Sequence, residues 1–260
     1  RSKLIKGAPL DILVSAIAEL ATSLIFLGLA SLAVYWSLVR GFQPRTAILL
    51  GALMILVYVG GSFAADQMSS HPDSWTSIQQ TFDQIWQLKA KALADDKMPQ
   101  ADIDLIQSLF KEYFLFCLPA WIVSGSLFAG FLGYYLVSVI GSRITSRISL
   151  PIPFWQWVVP EHMIFGLILG GAVKLLVPEN SGWAMVGDNL LVLFMFIYTF
   201  AGLTITSFYF KKWRFPTIAR LLTYALLFEL TFNAVCVLLG IADIWLDFRK
   251  LKKPSAGSTL

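Results

Sequence analysis

Six stretches of the chain are apolar over the length a helix needs to cross about 30 Å of hydrocarbon. They are residues 10–39, 46–65, 113–141, 161–178, 187–210 and 217–246. A bilayer core tolerates only helices or closed barrels, because nothing else satisfies its own backbone groups. No period-2 alternation repeats along the chain, so the windows predict helices, about six spans in all. The fourth window is short, carries His162 and Lys174, and lies between Pro160 and Pro178. A tilted or re-entrant segment is the alternative to a full crossing there.

The pattern changes between the second and third windows. Trp75, Ile78, Phe82, Ile85, Trp86 and Leu93 recur at helical spacing, Asp73 or Ser74 can cap the start, and Ile103, Ile106, Leu109 and Phe110 repeat the pattern. This predicts an extramembrane helical hairpin over residues 66–112. Its apolar stripe packs on its own partner helix, lies on the membrane surface, or folds over the mouth of the bundle. Residues 149–160, SLPIPFWQWVVP, break the pattern again: three prolines forbid a regular helix, and Phe154, Trp155 and Trp157 suit the membrane interface. The expected organisation is two spans in 1–65, the hairpin in 66–112, a four-span region in 113–250 and a basic, then flexible, tail in 251–260.

Composition places this all-α bundle in a membrane. Hydrophobic residues make up 57% of the chain and charged residues 14%, with mean hydropathy +0.70, outside the range of water-soluble domains. The net charge of +4 is spread over short clusters between apolar runs, with no basic face to hold DNA or RNA. The clusters read as topology signals and headgroup contacts, so the lipid bilayer is the expected partner and nucleic acid is not. If six helices alternate, Arg40, Arg45, Arg143, Arg147, Lys211, Lys212, Arg214 and Arg220 share one side. The hairpin, with eight acids against Lys89, Lys91, Lys97 and Lys111, then lies on the other side, outside the cytoplasm. The termini conflict with this, since Arg1, Lys3, Lys6, Arg249, Lys250, Lys252 and Lys253 would then also face outward. Cys117 and Cys236 fall in apolar windows and read as small filler rather than a disulfide.

Polar groups inside the windows carry the chemistry, because ionisable side chains in hydrocarbon are costly and face a bundle interior or a cavity. Glu229, Asn233, Cys236, Gly240, Asp243 and Asp247 share one helical face. Asp188, Thr199, Gly202 and Thr206 line up in the fifth window, and Ser15, Glu19, Thr22 and Ser23 in the first. His162, Gly166, Gly170 and Lys174 form a drifting stripe in the fourth, while Ser126, Gly130, Gly133 and Gly141 read as a packing seam in the third. Glu19, Asn189, Glu229 and Asn233 are the candidate ligand-binding residues. Asp243, Asp247, Arg249, Lys174 and His162 are candidates for structural ion pairs: either acid with Arg249, Lys250, Arg220 or Lys174, and Lys174 or His162 with Glu19 or Glu229. Capping or interfacial solvation is the simpler reading of Asp188, Asn189 and Asp243. No metal site is expected, because the EH pair at 161–162 lacks HExxH spacing and His71 lies in a distant loop.

The ordered set Pro153, Phe154, Trp157, Pro160, Asn189, Gly202, Gly240, Asp243, Trp245, Asp247 and Arg249 resembles the YybS-like family of bacterial membrane proteins over residues 151–250. The resemblance implies a multi-pass protein of the bacterial cytoplasmic membrane, in a family without an assigned biochemical role. It also implies further hydrophobic segments ahead of Arg1. The family is distantly similar to the substrate-binding subunits of energy-coupling-factor transporters and to the cell-shape protein MreD, a likeness of fold that carries no substrate across.

Two functions are therefore expected to compete. One is a small-molecule-binding protein of the transporter type; no GxxxxGK[ST] occurs, so an ATP-driven version needs a partner. The other is a non-catalytic scaffold that binds membrane proteins through its glycine seams and hairpin. An enzyme is not expected, since there is no GxSxG, no paired catalytic His and Asp and no metal cluster, and no cofactor is implied. In the terminal stretch GIADIWLDFRK, Gly240 is expected to mark a bend or close contact, Trp245 to sit at headgroup level, and Arg249 with Lys250, Lys252 and Lys253 to meet anionic lipid.

Overall fold

A computed structural model describes residues 8–68, 74–95, 98–178, 181–227 and 230–251. The described residues form helices α1 (Ala8–Val39), α2 (Pro44–Gln67), α3 (Ser74–Asp95), α4 (Gln100–Phe116), α5 (Leu118–Ile144), α6 (Ile164–Leu176), α7 (Gly182–Lys212), α8 (Thr217–Leu227) and α9 (Leu230–Leu246). Among them there is no strand. Four helices are long and apolar enough to cross a membrane: Leu20–Val39 of α1, Pro44–Asp66 of α2, all of α5 and all of α7. The fourth and sixth windows differ. The fourth contains only the 13-residue α6, about 20 Å long, started and stopped by the prolines at 160 and 178. The sixth is divided into α8 and α9.

The chain makes two compact units, Arg1–Leu88 with Gly125–Pro151, and Lys89–Ser124 with Ile152–Leu260. Two of the three boundaries fall inside α3 and α5 and the third between Pro151 and Ile152, so the units cut across the stretches marked out by hydropathy. In the first unit, Gly41 takes a left-handed turn (φ +76°) and Pro44 opens α2, which folds back along α1. Ser23 and Tyr58 share a 2.9 Å hydrogen bond across that pair. On α5, a Cβ on Gly130 would stand 2.6 Å from the Ile48 carbonyl oxygen, so α2 and α5 approach backbone to backbone. The region expected as a hairpin contains α3 and α4; Asp73, its proposed cap, lies outside the described residues, as does the tail beyond 251.

The second unit is organised around α7. Residues 152–176 run antiparallel to it along most of its length. Trp155 lies against Phe208 and Lys211, Phe154 against Phe200, Gly166 against Phe194, and Lys174 against Asp188. Only the later part of this strip is α-helix; the earlier part is extended chain with two 3-10 turns, Phe154–Gln156 and Glu161–Met163. After α7, α8 turns back, bringing Tyr224 against Phe210. The next helix, α9, then runs parallel to α7, with Asn233 at Thr199, Cys236 at Gly202 and Phe248 at Tyr209.

That direction corrects the expected topology. The stretch 217–246 does not form one crossing antiparallel to α7, so the tail cations do not end opposite the Lys211 cluster. Lys250 and Lys211–Arg214 sit at the same end of α7. The physical reason is length: α8 has 11 residues, about 17 Å, and α9 then retraces that distance.

Candidate functional site

The guanidinium of Arg249 is buried inside the second unit, its side chain 1% exposed. Its Nη2 donates to Asp243 Oδ2 at 2.8 Å. Its Nη1 faces three acceptors, the carbonyls of Trp155 (3.1 Å) and Trp157 (2.8 Å) and Thr204 Oγ1 (3.0 Å). Both oxygens of Asp243 are engaged, because its Oδ1 accepts the Phe248 backbone N–H at 2.9 Å, whereas Arg249 Nε has no hydrogen-bond partner among the described residues. The prolines at 151, 153 and 160 prevent a helix, so the carbonyls of this strip have no i+4 donors. Buried carbonyls need partners, and a planar guanidinium with five N–H groups can reach several at once. Arg249 is therefore a structural donor facing inward. The expectation that it meets anionic lipid is corrected; Lys250, next to it, is exposed.

Asp247 does not join Asp243 at the node. It follows the last helical residue with φ +39°, and its Oδ1 accepts the Leu251 N–H at 3.1 Å. Gly240 marks a close contact, since a Cβ there would overlap the Tyr198 carbonyl, and Trp245 is exposed.

A second ion pair joins α6 to α7, Lys174 Nζ to Asp188 Oδ2 at 3.0 Å. The carboxylate is buried and the ammonium is 39% exposed, so only the acid is deprived of water. Lys174 thus pairs with Asp188, an acid for which capping was the simpler reading. His162 is an exposed residue of the second 3-10 turn. Of the two glutamates considered as partners, Glu229 lies outside the described residues and Glu19 lies on α1 with its side chain outside them.

Asn189 serves the junction of α4 and α5. Pro119 breaks the helix there, and Asn189 takes both backbone groups the break separates. Its Nδ2 donates to the Phe116 carbonyl at 3.1 Å, and its Oδ1 accepts the Ala120 N–H at 2.9 Å. A further Nδ2 bond, 2.8 Å to the Met185 carbonyl, fixes the amide on α7. Asn233 instead accepts the Thr199 hydroxyl at 2.9 Å. The two asparagines are thus separated along α7 by ten residues, about 15 Å, and do not meet.

Beside Thr199, the Tyr198 side chain is fully buried and its hydroxyl has no hydrogen-bond partner among the described residues. It belongs to a cluster with Ile164 and Leu167 at the start of α6 and Val237 on α9. Sequence reading passed over Tyr198, because an isolated tyrosine in an apolar run gives no periodic signal. Thr204 was missed for the same reason.

Among the described residues, no group of three or more His, Cys, Asp or Glu is placed to hold a metal ion, and both cysteines are free and buried. Four helices long and apolar enough to cross a membrane, in an all-helical set of described residues, define a polytopic helical membrane protein. The chain belongs to the family of predicted membrane proteins designated DUF2232, whose model matches residues 4–244. No curated protein and no solved structure shows a match to it.

Proposed function

We propose that this chain is a small-molecule-binding protein of the bacterial cytoplasmic membrane, working as a transporter or as a transporter's substrate-binding subunit and catalysing no reaction itself. The observation that supports this reading is the meeting of two interrupted segments beside the middle of α7. The first helical residue of α6, Ile164, packs with Tyr198, and the first turn of α9 bonds Thr199 through Asn233. From there the two helices run in opposite directions along α7. Substrate sites of membrane transporters are typically built where broken helices begin at mid-depth, since helix N-termini and freed backbone groups supply polar contacts there. The buried Tyr198 hydroxyl adds a donor without a partner among the described residues. Asn233 and Tyr198 are the proposed contacts on this site, with Glu229, outside the described residues, four positions before Asn233 in the sequence. Asn189, engaged at the α4–α5 junction, is not among them.

The scaffold reading has its own support, in that Asn189, Asp188 and Asp243 all spend their polar capacity within the chain. Mass spectrometry of compounds released from nanodisc-embedded protein separates the two. A compound retained by wild type and lost from Glu229→Ala/Tyr198→Phe supports binding at mid-α7. A stoichiometric membrane-protein partner other than an ATPase, with no retained compound, supports the scaffold.

A further inference from the structure

A separate feature lies about 15 Å further along α7 than Thr199. A cavity of about 270 Å³ is lined by Ile205, Thr206, Tyr209, Trp213, Leu239 and Phe248, together with Phe210. Its walls are almost wholly apolar, and the two hydroxyls among the lining residues are engaged. Thr206 donates to the Gly202 carbonyl at 3.0 Å, and Tyr209 to the Phe248 carbonyl at 3.4 Å. A sugar, amino acid or nucleotide would lose its hydration there and find few hydrogen-bonding groups in return. A hydrocarbon chain loses nothing, and the volume suits a stretch of one acyl chain.

The lining residues adjoin a ring of cations. Lys212 Nζ stands 5.7 Å from the ring centre of Tyr209. Arg214 follows Trp213, Lys250 lies two residues past Phe248, and all three cations are exposed. Arg214 and Lys250 adopt left-handed backbone conformations, φ +52° and +51°. At the end of α7, the Arg214 N–H bonds the Lys211 carbonyl and the Phe215 N–H the Phe210 carbonyl, a turn that favours glycine at the position Arg214 holds. Arg214 and Lys250 thus stand at left-handed positions beside one cavity, as does Asp247 (φ +39°), the residue before Phe248.

From the joint occurrence of an acyl-sized apolar cavity and this cation cluster, we propose that the α7–α9 end is a binding site for an anionic phospholipid. One chain enters the cavity and the phosphate lies among Lys212, Arg214 and Lys250. The site differs from general attraction to a charged surface in needing both parts.

The test is native mass spectrometry of the full chain from nanodiscs holding equal phosphatidylglycerol and phosphatidylcholine, counting lipids retained per protein. Wild type is expected to keep phosphatidylglycerol about tenfold over phosphatidylcholine. Lys212→Gln/Arg214→Gln/Lys250→Gln should bring the ratio close to one, and Leu239→Trp, which fills the cavity and leaves every charge, should lower retention of phosphatidylglycerol. Arg40→Gln/Arg143→Gln/Arg147→Gln removes equal charge elsewhere and should leave the ratio unchanged. Equal retention of both lipids by wild type overturns the proposal. So does a loss in the Arg40/Arg143/Arg147 control as large as in the first triple variant, or full retention by Leu239→Trp. If the first triple variant fails to fold, wild type and Leu239→Trp decide the matter.

Discussion

Gly202 on α7 and Cys236 on α9 pack backbone against backbone: a Cβ on the glycine would overlap the Cys236 carbonyl. Gly240 repeats the contact in the other direction, against the carbonyl of Tyr198. Neither neighbour is the end of a flexible side chain, so one added methyl forces the helices apart. Gly202→Ala and Gly240→Ala should each destabilise the protein by at least about 1–3 kcal/mol, visible as a lowered Tm in detergent. Gly28→Ala on α1, where a Cβ meets nothing within 4 Å, should be neutral or slightly stabilising. Equal melting of all three variants would contradict the seam.

Loss of Arg249 should be among the most damaging single changes. Arg249→Met takes the guanidinium from the Asp243 carboxylate, which keeps the Phe248 N–H, from the Trp155 carbonyl, and from the Trp157 carbonyl, which keeps the Thr204 hydroxyl, a cost of about 3–5 kcal/mol for a broken buried pair. Arg249→Lys should not restore stability, because a single ammonium cannot span the acid and the extended strip together. Asp243→Asn/Arg249→Met should cost less than the two single changes added, and strict additivity in a thermal double-mutant cycle would remove the claim that they act as a unit.

The Lys174–Asp188 pair should respond asymmetrically. Lys174→Ala strands a buried carboxylate, whereas Asp188→Ala strands an ammonium that is already 39% exposed and can hydrate. The lysine variant should therefore melt lower than the aspartate variant, by about 1 kcal/mol or more in stability. The reverse order would mean that the carboxylate finds water in the folded protein.

Lys212→Cys and Lys250→Cys, each in a Cys117→Ala/Cys236→Ala background, should label from the same side of a sealed vesicle with a membrane-impermeant maleimide. Six strictly alternating spans would put the two thiols on opposite faces. Labelling from opposite sides would break the parallel arrangement of α7 and α9.

Hydropathy made the long helices legible, since α1, α2, α5 and α7 follow apolar windows that no other structure can satisfy in a bilayer. It could not separate α8 from α9, because two short apolar helices folded back on each other have the same composition as one long one. The helical face through Asn233, Cys236, Gly240 and Asp243 was readable by period, and Asn233, Cys236 and Gly240 do face α7. Partner choice was legible only in part. The pairing of Asp243 with Arg249 is among the ion pairs the sequence offers, but the two backbone carbonyls almost a hundred positions earlier that Arg249 also bonds are announced by no residue type. The role of Asn189 is hidden in the same way, because its partners are main-chain groups set free by Pro119.

The strip at Trp155–Trp157 is made long before its donor exists. The bonds from Arg249 span 94 and 92 residues of sequence, so at about 5–20 residues per second the ribosome needs some 5–20 s to supply the missing cation. Throughout that interval the strip's carbonyls must stay hydrated or be held by the insertion machinery, and α6 cannot be fixed in its final depth. A residue synthesised more than ninety positions later thus completes the fold of the strip at Trp155–Trp157. A nascent protein that stops short of Arg249 would lack the guanidinium that bonds the Trp155 and Trp157 carbonyls, a defect open to the membrane's quality-control proteases.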